Sequence, residues 1–392
     1  MKLPRHELAQ VIQRYGKEFF EEHPQPLFHL RTLHAIEHCR TMSMGGHVDA
    51  CDACGHIRVS YNSCRNRHCP KCQGTQRERW IMDREQDLLP VSYFHVVFTL
   101  PEPLNQVCLR HPVAMYNALF HAGWETIQVF SADRKHLGAE TGMISILHTW
   151  GQQLWLHPHL HCIVPGGGIS GQGRWKKAKG DGKFLFPVKA MSRVFRGKFM
   201  AILRKWAKSN HISLSRSFTD ALYQHSWVVY AKQPFFGPQQ VVEYLGRYTH
   251  KIAISNHRLR SIEGGNVTFT WKDYRDGEKR KLMTLQSTEF LRRFCLHIMP
   301  SGFVRIRHYG FLSSRKKPLL RALQRQLGLT SVKPEKLTWQ RICTLRLGYN
   351  VDICPNCGKG TMITIQRWLP GRSPPAIMNI AKQYMNESYQ TG

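Results

Sequence analysis

The sequence predicts an α+β protein: a β-sheet domain with helices packed on it, preceded by a small cysteine-rich module. Three observations predict it. Strand-like and helix-like segments alternate irregularly from about residue 90 to 310, with hairpin-like pairs among them. Residues 39–75 are rich in Cys, His, Gly and Asn and show little periodicity, which is how a metal-stapled module looks. The chain has 392 residues, 42% of them apolar, enough for a sizeable core and two or three domains.

The elements follow in order. Residues 1–38 read as helical, because Leu8, Val11, Ile12, Tyr15 and Phe19 recur at helical spacing. Residues 39–80 form the cysteine module. A sheet domain over 90–318 begins with the strand 91–100, closed by Pro101, and a helical stretch around 104–131. Strands are expected at 143–150 and 159–168, then a basic hairpin or loop at 173–187. Phe195, Phe199, Ile202, Leu203 and Trp206 mark an amphipathic helix with Arg196, Lys198, Arg204, Lys205 and Lys208 on its other face. A strand at 226–232 is followed by a helix over about 239–250, introduced by Pro238. Strands at 251–255, 266–274 and 281–286 and a helix at 289–297 complete the domain. A C-terminal region, 335–392, carries its own small cysteine group.

Charge narrows the function. The chain has 56 Lys and Arg against 26 Asp and Glu, a formal balance of +30. An excess this large implies a polyanionic partner, nucleic acid first, over a ribosome-like or membrane-surface role. The N-terminus MKLPRHELAQ has no apolar signal-peptide core, and no run approaches the ~18 apolar residues of a membrane span. The expected location is therefore the cytoplasm, with no membrane partner. Twelve cysteines there suggest metal ligands or buried thiols over disulfides.

Two Cys-x2-Cys knuckles, Cys51/Cys54 and Cys69/Cys72, are separated by the 14 residues 55–68. Each can give two thiolates to one ion, so the pair predicts one tetrahedral zinc site. Cys39, His47, Cys64 and His68 are left over and could build a second, although spacing alone does not partition the eight ligands. Arg65, Arg67 and Lys71 within the cluster are candidate DNA contacts, as are Arg58, Arg77 and Arg79, and Tyr61 and Trp80 could stack on bases. Cys354 and Cys357 form half a knuckle, which is a degenerate ribbon, a site shared with another part of the fold, or a pair that binds no metal.

His159 and His161 alternate on one predicted strand and therefore share a face, with Leu160 turned to the core. Two imidazoles with open positions make a half-built divalent-metal site, suited to Mg, Mn, Co or Ni. A third ligand is expected from Gln152, with Gln153, His148 and His157 as rivals. Downstream, Tyr244 and Tyr248 lie at i and i+4, on one face of a helix, with Arg247 and Lys251 in reach of phosphate. A phenol of pKa about 10 is a weak nucleophile at neutral pH and needs a polarised electrophile or a base. A metal on the histidine pair meets that need. Attack on a DNA phosphate would give a 5′-phosphotyrosine and a free 3′-hydroxyl, one phosphodiester exchanged for another. Basic residues Lys272, Arg275 and Lys279–Lys281, and the stretch 305–317, are further candidates for a DNA track.

HPHLHCIVPGGG followed by YLGRYTHKIAIS resembles the HUH transposases of the IS91 family. CDACGHIRVSYNSCRNRHCPKCQ resembles that family's N-terminal zinc-binding domain, and FTLPEPL and GFVRIRHYGFLSSR are similar to further family segments. The resemblance covers roughly 39–315. It implies an HUH-nuclease-like antiparallel sheet, His159 and His161 as ligands of catalytic Mg or Mn, and Tyr244 and Tyr248 as nucleophiles. It also implies rolling-circle transposition through single-stranded or hairpin element ends in a bacterial, nucleoid-associated setting. The sequence carries no phosphate-loop GxxxxGK[ST], so strand unwinding is expected from a host helicase or replication. A plasmid relaxase or replication initiator would share the chemistry. A non-catalytic zinc protein binding single-stranded nucleic acid would need the charge and cysteines but not both tyrosines.

Overall fold

A computed structural model describes residues 3–180, 185–231, 240, 241, 243, 244, 246, 251–329 and 338–370. Its centre is a run of apolar strands. β3 (Tyr93–Thr99) is nearly continuous in Val, Phe and Tyr and β4 (Gly142–Trp150) is buried throughout, as strands covered on both faces must be, whereas β5 (Leu156–Pro165) alternates histidines with buried residues before ending in an apolar run. With β8 (Val229–Ala231) and β12 (Ile306–Gly310) they form an antiparallel sheet ordered β12-β4-β5-β3-β8. β5 pairs with β4 so that His148 lies opposite His159 and Ile146 opposite His161. On its other side Val97 of β3 lies opposite His161.

The pleat gives the two faces different duties. Val96, Phe98, Leu147, Leu160 and Cys162 point to one face and are buried under α5 (Pro112–Ala132) and α6 (Val188–Ser209). Tyr93, Ile144, Ile146 and Ile163 point to the other, where Ile81 of α3 (Gln73–Glu85) and Val241 cover them. The histidines occupy the open end of this second face. Gly310 closes β12 against β4 at φ +59, where an added Cβ would stand 1.9 Å from the Thr141 carbonyl oxygen.

A second antiparallel sheet, β9 (Leu259–Glu263), β10 (Asn266–Asp273) and β11 (Lys279–Gln286), buries Leu259, Ile262, Val267 and Phe269. Against these pack Phe290, Leu291 and Phe294 of α8 (Ser287–Cys295) and Leu8, Val11, Ile12 and Phe19 of α1 (Leu8–Glu22). A third sheet, β13-β1-β2, joins β1 (Gly46–Cys51) and β2 (Ile57–Tyr61) of the cysteine module to β13 (Met362–Trp368) near the other end of the chain. Among the described residues no helix is long and apolar enough to cross a membrane.

Several boundaries differ from expectation. Residues 1–38 hold two helices, α1 and α2 (Leu27–Glu37). Residues 251–255 form no strand: Ala253 and Ile254 are buried, but Ala253 gives its carbonyl to Arg258 rather than to a ladder. The strand comes later, at β9 (Leu259–Glu263), where Arg260 and Glu263 interrupt the apolar pattern. The expected strand 159–168 starts earlier and breaks at Gly166 into β6 (Gly167–Ile169), which pairs with β7 (Trp175–Lys177). In the expected helix 239–250, Gln240, Val241, Glu243, Tyr244 and Gly246 are helical; Arg247 and Tyr248 lie outside the described residues.

Candidate active site and metal centres

The register of β4 against β5 gathers three imidazoles. His148, His159 and His161 each bring a ring nitrogen within 4.8 Å of the others. Ring centroids stand 4.6 Å apart for His148 and His161, and 4.9 Å for His159 and His161. His148 is buried and stacked on Trp150 at 4.6 Å. His159 Nδ1 meets the His157 carbonyl oxygen at 2.6 Å, and His161 Nδ1 meets His95 Nε2 at 2.9 Å. His159 and His161 thus have Nδ1 engaged, leaving Nε2 as the nitrogen that can meet an ion. Burial, reinforced by the neighbouring His157, pushes His159 down to about 3. Burial, reinforced by His148, pushes His161 well below the usual histidine range. Neutral imidazoles offering a lone pair are what a divalent cation requires.

The third ring nitrogen gathered beside those of His159 and His161 belongs to His148. The Gln152 carboxamide turns to the second sheet, its Nε2 donating to the Tyr274 hydroxyl at 3.4 Å and its Oε1 accepting from the Lys272 amide at 3.4 Å. Sequence distance favoured Gln152; the ladder favours His148, which lies directly across from His159.

A residue that the sequence reading passed over links this cluster to a tyrosine. His95 sits on β3, 4% exposed, its ring stacked 5.1 Å from that of His161. Its Nδ1 stands 3.0 Å from the Tyr244 hydroxyl. Tyr244, His95 and His161 therefore form one hydrogen-bonded chain. The signal was present as a lone imidazole inside the apolar run YFHVVFT, at the same parity as Tyr93 and Val97.

The histidines open into a cleft of about 1230 Å³ between the five-stranded sheet and β10. Trp155, Trp271 and Tyr274 supply aromatic faces to its wall, and Lys251, Lys272 and Arg275 supply charge. Burial lowers the Lys251 ammonium from its ordinary value. Arg258, also in the wall, spends its guanidinium on the Ala253 and Thr270 carbonyls.

The cysteines divide differently from the predicted pairing of Cys51 and Cys54 with Cys69 and Cys72. One cluster is Cys39, Cys64, Cys69 and Cys72, the other Cys51, Cys54, Cys354 and Cys357. In the first, Cys72 Sγ lies 3.5 Å from that of Cys39 and 3.7 Å from that of Cys64. A tetrahedral zinc with bonds of about 2.3 Å sets its sulfurs about 3.8 Å apart, so the set fits the ion. The contacts of Cys39, Cys64 and Cys69 hold the Cys72 thiol far below its ordinary range. In the second cluster the Gly360 and Lys359 amides hold Cys357 down to about 6.

His47 and His68 join neither cluster. His47 faces the Asp49 carboxylate at 3.5 Å, and buried His68 accepts from the Met299 amide at 3.3 Å. The predicted DNA contacts also separate. Arg65 is exposed. Arg67 donates to the Phe303 carbonyl at 2.6 Å, and Lys71 is held by Glu7 at 2.6 Å and the Cys39 carbonyl at 3.2 Å. The last two are tied into the fold.

Comparison with known proteins agrees with this architecture. Residues 11–100 match a family described as "Transposase zinc-binding domain", and residues 142–318 match one described as "Putative transposase". The chain is 44% identical to "Putative transposase y4qJ" of Sinorhizobium fredii (strain NBRC 101917 / NGR234) over 388 residues, 94% of this chain and 97% of that protein. It is 29% identical over 301 residues to the transposase for insertion sequence element IS801 of Pseudomonas savastanoi pv. phaseolicola, covering 71% of this chain and 68% of the relative. No solved structure matches it. Sheet, cysteine module and relatives together define a transposase, a DNA-cleaving enzyme with a zinc-binding domain at its N-terminal end. The chain belongs to the IS91 family.

Proposed function

We propose that this transposase cuts and rejoins single-stranded DNA through a 5′-phosphotyrosine, with Tyr244 as a nucleophile and Tyr248 as its partner. The observation that carries the reading is the Tyr244 hydroxyl, 3.0 Å from His95, which in turn stands 2.9 Å from His161 of the imidazole cluster. His148, His159 and His161 would hold Mg or Mn, which when bound would supply charge to neutralise a phosphate oxygen. Were Nε2 of His161 the ligand, its proton would reside on Nδ1 and be donated to His95 Nε2, 2.9 Å away. His95 then carries its own proton on Nδ1 and donates it to the Tyr244 oxygen. A hydrogen bond donated to that oxygen favours the phenolate, which corrects the weakness of tyrosine as a nucleophile.

Attack of the Tyr244 oxygen forms the P–O bond to tyrosine and breaks the bond to the 3′ oxygen; the phenol's proton goes to solvent, and the departing 3′ oxygen takes one from solvent to become a hydroxyl. A 3′-hydroxyl can reverse the step on another strand, so no nucleotide cofactor is consumed. Lys251 lies in the cleft to meet phosphate. Tyr274 is largely exposed on its wall and Trp155, with Arg293 stacked on one face, is about half exposed, where they suit the π-faces of unpaired bases. Element ends as single strands or hairpins are the substrate, supplied by a host helicase or by replication on nucleoid DNA in the cytoplasm. Successive use of two tyrosines suits rolling-circle movement of an insertion sequence.

The test is a denaturation-resistant adduct between protein and labelled single-stranded element-end DNA in Mn or Mg. Wild type forms it, the Tyr244→Phe, Tyr248→Phe double variant does not, and His159→Ala loses it while keeping DNA binding. An adduct that survives the double variant refutes the mechanism.

A further inference from the structure

We propose that Cys51, Cys54, Cys354 and Cys357 bind a second structural zinc ion, which clasps the C-terminal segment onto the N-terminal module. The matched zinc-binding family ends at residue 100, so half of this donor set lies outside it. The four sulfurs lie within 4.8 Å of one another. Across the two knuckles, Cys51 Sγ is 3.7 Å from Cys357 Sγ and Cys54 Sγ is 3.7 Å from Cys354 Sγ. That is close to the edge of about 3.8 Å expected for a zinc tetrathiolate, and far beyond a disulfide bond of about 2.05 Å.

The two halves repeat one geometry. Gly55 donates to the Cys51 carbonyl at 3.1 Å, and Gly358 donates to the Cys354 carbonyl at 2.9 Å. Both glycines sit at φ +67. The amides of Ala53 and Gly360 each approach a knuckle sulfur at 3.4 Å, Cys51 and Cys357 respectively. Amide donors at sulfur stabilise the thiolate form that a metal needs. Two like knuckles facing each other, with no carboxylate or imidazole among the donors, suit zinc and not a hard cation.

The backbone around the site is built to bring the halves together. β13 pairs with β1 from Gly46 opposite Trp368 to Cys51 opposite Met362. The Thr361 amide donates to Asp52 Oδ1 at 2.8 Å. A Cβ at Gly360 would stand 2.4 Å from Cys51 Sγ, so only glycine passes this close. Metal and ladder thus join knuckles 300 residues apart in sequence.

The test uses the full chain. Zinc bound to purified wild type, measured by elemental mass spectrometry, is expected at two equivalents, falling to one in the Cys354→Ser, Cys357→Ser variant. In that variant amides of 362–367 are expected to exchange with deuterium roughly tenfold faster or more, while those of β4 and β5 keep their protection. One equivalent in wild type overturns the proposal, as do two equivalents retained in the variant. The wild-type stoichiometry decides the matter even where the variant fails to fold.

Discussion

At the scale of single residues the site depends on which nitrogen of each imidazole is used. His159 and His161 both commit Nδ1 to a neighbour, and this orients the pair. His95 makes that commitment productive, because its second nitrogen reaches the Tyr244 hydroxyl. His95→Ala removes both hydrogen bonds and is expected to lower the rate of adduct formation by about 10–100-fold, the usual range for a group that orients a metal ligand. His95→Gln retains one donor and one acceptor and should recover part of the loss. Single-turnover cleavage compares the three proteins. Wild-type rates in both variants would show that the imidazole plays no part in orienting the site.

At the scale of elements, legibility followed local pattern. The strands over 93–99 and 143–150 and the helix on Phe195–Trp206 were readable, because apolar periodicity is a local property. His159 and His161 were readable for the same reason. The third member of the trio was left open between Gln152 and rivals that included His148, since the choice depends on how β4 registers against β5 and not on distance along the chain. The cysteine partition failed similarly: proximity in sequence joined the two N-terminal knuckles, whereas the ladder of β1 with β13 brings Cys354 and Cys357 to Cys51 and Cys54. β9 escaped notice because Arg260 and Glu263 interrupt its apolar residues. Register can be tested where it is most constrained. Gly310→Ala places a side chain at φ +59 and against Thr141, and should cost at least about 1–3 kcal/mol by chemical denaturation. Wild-type stability would show that β12 can leave β4 at no cost.

At the scale of the whole molecule, a balance of +30 is carried by a fold that buries several neutral histidines. Burial lowers His29, His297 and His308 to about 4 from an ordinary 6.5. Between those values the unfolded chain binds more protons than the folded one, so stability is lost as pH falls through that window, by up to about 1.4 kcal/mol per pH unit for each group. Melting should therefore occur at lower temperature at pH 5.5 than at pH 7.5 with zinc content unchanged; equal melting temperatures would contradict the burial of neutral rings. The same fold sets a tyrosine, an imidazole chain and a charged aromatic cleft on one sheet face, and the claim that this face performs strand transfer has a direct test. Mass spectrometry of the proteolysed protein–DNA adduct locates the bond: the account predicts a 5′-phosphate joined to the oxygen of Tyr244, and a linkage carried only by another residue, or by a 3′-phosphate, would contradict it.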